Sequence, residues 1–153
     1  MKTAAHTGSK EQQAYHESES PAVSRHWPYG ALRGGTNAVF LPQHNVYLAF
    51  FHSAGHLRTN ALKTYFMGAY TFSTEPPFSI TAISEEPIIG EDFYNKQKHY
   101  YWSPRRVIFP CGCLADEHFI WVSYGKEDRE MWIAKIDKKM LLDSLVPVFT
   151  MTE

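Results

Sequence analysis

The chain tells one structural story twice, and that repeat constrains the fold more than any other feature. The first copy reads RGGTNAVFLPQHNVYLAFFHS and continues into KTYFMGAYTF; the second reads RRVIFPCGCLADEHFIWVSYGKEDREMWIAKID. Each copy opens on a basic residue and a short apolar strand, passes a tight polar turn, and runs into a longer strand rich in aromatics. A third strand follows in both, Tyr65 to Phe72 and Met131 to Ile136. Consecutive blades of a β-propeller have this organisation, and they aim the ends of their inner strands at a central channel where ligands bind. Two blades do not close a ring. The expectation is therefore an all-β chain of about two antiparallel blades, an incomplete propeller.

Composition agrees with one domain or part of one. With 153 residues, 44% of them hydrophobic, the chain can bury a real core, and its 15% aromatic content favours strands. The net charge of −1, with no basic block, argues against nucleic acid and anionic membrane surfaces as partners. No apolar run approaches the roughly 20 residues that span a bilayer. The N-terminus lacks the apolar core of a secretory signal, and no Asn-x-Ser/Thr acceptor occurs. These absences point to a cytoplasmic address.

Residues 1–28 are rich in Ser, Gln, Glu, His and Lys and read as a flexible arm; residues 29–153 read as the partial propeller. Within the latter, Pro42-Gln43-His44-Asn45 is a hairpin turn between Asn37–Leu41 and Val46–Phe51. Leu57–Asn60 is a loop. Thr64–Phe72 is a long strand in which Gly68 marks a close approach. Glu75-Pro76-Pro77 bends the chain before an outer strand, Phe78–Ile83. The connection from Glu85 to Arg105 is long enough to suggest a function of its own. Strands Val107–Leu114, His118–Tyr124 and Glu130–Ile136 follow. Lys138–Leu145 has the spacing of a short helix, with Pro147 ending it.

Arg33-Gly34-Gly35-Thr36 sets a guanidinium beside two flexible backbone positions, where a phosphate, carboxylate or pair of sugar hydroxyls could be held. The plain alternative is a turn with a solvated Arg. His52 ends an aromatic strand with His56 four residues on; H-x-x-x-H holds a metal only on a helix, and Ser-Ala-Gly between them opposes one. His52 therefore reads as a hydrogen-bonding residue at a pocket rim or an ordinary surface His. Cys111 and Cys113, at i and i+2 on a strand, are expected on the same face as two reduced core cysteines with no metal. Tyr124-Gly125-Lys126-Glu127-Asp128 closes a strand with polar groups that suit sugar hydroxyls or cap a turn. Trp102, Trp121 and Trp132 could stack on a sugar ring or belong to the core. No Ser-His-Asp arrangement, P-loop or dinucleotide fingerprint is present, and no cofactor is implied.

Taken in order, several of these pieces resemble the C-terminal half of the five-bladed propellers of the β-mannoside phosphorylase and β-1,2-mannosidase family. They are Arg33-Gly34-Gly35-Thr36, Tyr47-Leu48-Ala49-Phe50-Phe51-His52, Tyr65-Phe66-Met67-Gly68-Ala69-Tyr70, Glu86-Pro87-Ile88, Val107-Ile108-Phe109-Pro110-Cys111-Gly112, and Tyr124-Gly125 with Asp128 close behind. Asn37 stands where that pattern has a small residue or Pro. The resemblance implies that Arg33 helps bind inorganic phosphate as co-substrate, and that His52, Tyr65 and Asp128 lie around sugar subsites, with Tyr124 beside them. The family's general acid is an Asp of the first half of the propeller, and nothing in Met1–Tyr29 resembles that half. Phosphorolysis or hydrolysis needs that acid to assist the leaving sugar.

Three functions follow as expectations. The chain is part of a glycoside phosphorylase or hydrolase, without turnover by itself. Alternatively it is a non-catalytic carbohydrate-binding module, or an assembly fragment whose open edge strand pairs with a partner or a second copy. Should turnover occur, Asp92, Asp116 and Glu127 are the first carboxylates to examine.

Overall fold

The computed structural model describes residues 2–4, 15–17, 27–56, 63–90, 93–94 and 106–148. Among these described residues, ten strands and one helix follow in chain order. They are β1 (Lys2–Ala4), β2 (Tyr15–Glu17), β3 (Val39–Leu41), β4 (Val46–His56), β5 (Lys63–Ser73), β6 (Ile80–Ser84), β7 (Ile108–Ala115), β8 (Phe119–Lys126), β9 (Glu130–Asp137), α1 (Lys138–Ser144) and β10 (Leu145–Pro147). One sheet has the order β10-β6-β5-β4-β3 and a second the order β7-β8-β9. All named pairs are antiparallel, as the sequence repeat anticipates. The fold is all-β with one short helix, consistent with part of a propeller. Within the stretch read as an arm, β1 and β2 pair with each other. The Leu57–Asn60 loop, Trp102 and most of the 85–105 connection lie outside the described residues.

The turns follow from their residues. At the β3–β4 turn the His44 N–H donates to the Leu41 carbonyl at 3.1 Å, and Asn45 takes a φ of 50°, which an Asn side chain tolerates. At the β7–β8 turn the Asp116 carboxylate accepts from the His118 and Phe119 N–H groups at 2.8 and 2.7 Å, and from the Trp121 indole at 2.8 Å. The indole bond and the two backbone bonds together draw its pKa down to about 2.

The centre of the first sheet is the ladder between β4 and β5, each eleven residues long. Alternation sends Leu48 and Phe50 of β4 and Met67 and Ala69 of β5 to one face, where they meet Ile108, Ile120, Val122 and Tyr124 of the second sheet. The opposite face carries Phe51 and Phe66, which pack with Trp27 and Ile83; the Trp27 indole donates to the Ser53 hydroxyl at 2.8 Å. Both faces of this sheet are covered, so its central strands read as nearly continuous apolar runs. Gly68 is the close approach that the sequence suggests, and the approaching group is a ring. Phe51 lies across from it in register, and a Cβ at Gly68 would stand 2.4 Å from the Phe51 Cζ.

Three expectations need correction. The helix ends at Ser144, before Pro147, because the chain turns extended at Leu145 and Leu145–Pro147 pairs with β6 as an additional strand. The outer strand begins at Ile80, since Phe78 at φ 58° belongs to the bend. Cys111 and Cys113 do not share a buried face. A bulge between Pro110 and Gly112 inserts Cys111 as an unpaired residue and reverses the alternation. Cys111 is therefore exposed, while Cys113 turns inward toward the core. Both are free thiols. The Asn37 side chain pairs with the backbone at the edge of this strand. Its Nδ2 donates to the Cys113 carbonyl and its Oδ1 accepts from the Cys113 N–H, each at 3.0 Å, joining the segment before β3 to β7.

These contacts generate a prediction for Gly68→Ala. A new Cβ would force the fully buried Phe51 ring from its place, so we expect a loss of about 1–3 kcal/mol. Gly34, with open space around it, is the control. Chemical denaturation should show Gly68→Ala destabilised and Gly34→Ala close to the parent chain.

Candidate functional site

The two sheets meet at one end, and the residues singled out from the sequence are distributed around that junction. Arg33 and His52 pair as an isolated bridge: the Arg33 N–H donates to the His52 carbonyl at 2.9 Å, and the His52 N–H donates back at 3.1 Å. Three residues later the Thr36 N–H donates to the Phe50 carbonyl at 3.0 Å, and the Thr36 hydroxyl accepts from the Phe50 N–H at 3.0 Å. The Arg-Gly-Gly-Thr segment is thus laid along β4 as a short irregular strand. Its two glycines have different reasons to be there. A Cβ on Gly35 would stand 2.4 Å from the Phe50 carbonyl oxygen, so this glycine admits the β4 backbone; around Gly34 the space is open. Only Gly34 fits the expectation of a backbone position that a ligand can approach.

His52 is buried, contrary to the reading of a rim or surface residue. Its place on β4 puts it on the face toward the second sheet. There it stacks nearly parallel to the Tyr65 ring at 6.0 Å and lies 4.3 Å from the Phe109 ring. Burial lowers its pKa; the Gly34 carbonyl opposes that shift and the Arg33 guanidinium adds to it. Its Nδ1 has no hydrogen-bond partner among the described residues. The result is a neutral imidazole with one uncommitted nitrogen, suited to a hydroxyl. His56 shares the strand rather than a helix, so four residues of rise separate it from His52 by ~13 Å. Among the described residues no group of three or more His, Cys, Asp or Glu side chains is placed to hold a metal.

Two successive carbonyls tie this corner to the second sheet. The Tyr65 N–H donates to the Arg106 carbonyl at 2.9 Å, and the Glu127 N–H donates to the Val107 carbonyl at 2.9 Å. Asp128 follows Glu127 in the β8–β9 turn, exposed, with both residues in left-handed backbone at φ 55° and 58°. Arg33, His52 and Tyr65 from the first sheet and the turn bearing Asp128 from the second therefore stand at the same junction. Tyr124 does not join them at the surface. It is a core residue, edge-on to the Phe93 ring at 6.3 Å. Of the tryptophans, Trp121 is held by Asp116. Trp132 is exposed, bonded to Glu130 at 2.7 Å, with the Lys126 ammonium 4.8 Å from its ring.

Sequence reasoning passed over two residues of this junction. Tyr94 is fully buried and donates through its hydroxyl to the Tyr65 carbonyl at 2.9 Å; burial, reinforced by Glu127, drives its pKa strongly upward. Arg106 was legible only as the basic opening of the second repeat. A Tyr inside a long polar connection gives no signal of its own, because nothing in its neighbours marks it as buried.

No family model matches the chain, and no curated protein matches it in sequence. Among solved structures, it is similar to the β-1,2-mannobiose phosphorylase of Listeria innocua in complex with β-1,2-mannobiose. The TM-score is 0.56 at 20% sequence identity, over 74% of this chain and 29% of that one. The likeness is one of fold. The chain spans less than a third of the phosphorylase it matches, and no helix among the described residues is long and apolar enough to cross a membrane.

The buried His52 makes stability depend on pH in a definite direction. Its folded pKa lies below the ordinary 6.5, so the unfolded chain binds the proton more readily. The stability this neutral ring contributes is fully present above about pH 6.5 and is lost as pH falls through the lowered folded value. NMR titration should place the His52 ring transition below the ordinary 6.5. Thermal midpoints measured down through this range should decline less steeply in His52→Gln than in the parent.

Proposed function

We propose that the chain supplies sugar- and phosphate-binding residues to a carbohydrate-active fold of the glycoside phosphorylase or hydrolase type. What supports this reading is the pairing of Arg33 with His52 and the stacking of His52 on Tyr65, with the turn bearing Asp128 tied toward the same corner through the Arg106-Val107 backbone. The chemistry of that set suits a phosphorylated or phosphate-accompanied glycan. The Arg33 guanidinium offers paired donors to a phosphate. The neutral His52 and the Asp128 carboxylate suit hydroxyls, and the Tyr65 and Phe109 rings suit the apolar face of a sugar. The fold likeness to a mannobiose phosphorylase supports the same class. Tyr124 has a supporting part, filling the core beneath the junction rather than touching a ligand.

Binding and turnover separate in this proposal. None of the residues carried over by the family resemblance is the general acid, so this junction binds the sugar and the anion without itself protonating a leaving group. Inorganic phosphate or water would attack directly, and no covalent intermediate on the chain is needed.

Calorimetric titration with β-1,2-mannobiose, with and without inorganic phosphate, tests the reading. We expect weak sugar binding that phosphate strengthens, with Arg33→Ala removing roughly fivefold of the phosphate effect while leaving sugar binding nearly unchanged. Product analysis should show no cleavage of manno-oligosaccharides in either condition. Sugar binding indifferent to phosphate and to Arg33 would instead make the chain a plain carbohydrate-binding module. Absence of any binding would remove the proposal.

A further inference from the structure

Each of the two stacked sheets has an outer face, and the two outer faces differ in shape. On the second sheet, alternation along β9 turns Met131 and Ile133 outward, at 71% and 69% exposure. Their cross-strand neighbours are Gly125 and Ser123, so small side chains flank them and both stand proud of the surface. Leu114 of β7, 59% exposed, extends the same apolar face. The Lys135 ammonium on this face is folded down onto the Phe119 ring at 3.8 Å, which leaves the raised part of the face apolar. A contiguous exposed apolar surface of this kind is a mark of an interaction site.

The outer face of the first sheet is hollow where the other is raised. A groove of about 300 Å³ runs between Leu32, Phe51, Tyr70, Phe72, Phe78 and Ile80, with Arg33 and Gly34 also lining it. All six of these side chains are aromatic or branched aliphatic groups, and five of them are presented by strands or by the bend at Phe78. The hollow is thus an apolar seat for side chains, with one charge at its border. The raised face and the hollow lie on opposite outer sides of one two-sheet stack, so they cannot meet within a single chain.

We propose that they meet between chains: the outer face of β7-β8-β9 of one copy docks into the groove on the outer face of the β10-β6-β5-β4-β3 sheet of a second copy. This contact continues the sheet-on-sheet stacking already present inside the chain, in which two apolar sheet faces pack about 10 Å apart. It matches a convex apolar surface to a concave one, whereas a two-fold contact through either face alone would set convex against convex or hollow against hollow. The association is heterologous, so it leaves one free face of each kind on every dimer and can extend. It shares Arg33 and Gly34 at the groove's edge with the sugar-binding reading but does not rest on that reading, and Ile133 and Phe78, which the variants change, belong to the docking faces alone.

Sedimentation velocity on the full chain over a wide concentration range tests it, with Ile133→Glu to charge the raised face and Phe78→Asp to charge the groove. Both positions are exposed, and Asp suits the left-handed backbone at Phe78. Met131→Lys serves as a second raised-face variant should Ile133→Glu unfold. The parent chain should associate with rising concentration. Each variant alone should remain monomeric, and an equal mixture of the two should form dimers and nothing larger, because each supplies one intact face. A monomeric parent chain would overturn the proposal. So would association that survives in the single variants, as edge-strand pairing would give, or a mixture that stays monomeric, as a two-fold contact would give.

Discussion

The β4–β5 ladder is the constraint from which the rest of the structure follows. It is buried on both faces, so every residue along Leu48–Ser53 has a packing partner. Leu48 and Phe50 fix the second sheet against one face; Phe51, laid over Gly68, fixes Trp27 and Phe66 against the other. A one-residue slip in this ladder would exchange the two sets and dismantle both clusters at once. The same ladder sets the candidate site, because the alternation that buries Phe50 also turns His52 toward the second sheet.

At the junction, backbone hydrogen bonds hold the functional groups in place. The Arg33–His52 bridge fixes the Arg33 segment to β4, and the successive carbonyls of Arg106 and Val107 fix β5 to the turn at Glu127. The Arg33 side chain is consequently left exposed beside a buried neutral imidazole and aromatic rings. Exposure keeps the guanidinium's desolvation cost low, and burial of His52 keeps it uncharged near neutral pH. That division suits a site in which the anion meets the cation at the surface and hydroxyls meet neutral groups beneath.

Much of this fold was legible in the sequence, because period-two alternation and short polar turns are local signals. The hairpins β3–β4, β7–β8 and β8–β9 and the long β4–β5 pair all emerge from them. Features set by tertiary context were not legible. The bulge at Cys111 reverses a strand's faces without changing its composition. The three residues of β10 become a strand only because β6 offers an edge. His52 looks like a surface residue until the Tyr65 and Phe109 rings close over it. Arg33, Tyr65 and Asp128 were legible through family resemblance, and their common location is a product of the fold. Tyr124 was legible as an aromatic at a strand end, but the face it occupies makes it core.

The account rests on the claim that residues of two sheets form one binding surface at their junction. Mapping backbone amide shifts during titration with β-1,2-mannobiose and inorganic phosphate tests it most directly. The predicted result is a single set of perturbed amides that includes Arg33, Gly34, His52 and Tyr65 from the first sheet together with Glu127 and Asp128 from the second. Perturbations confined to one sheet, with Glu127 and Asp128 unmoved, would contradict it.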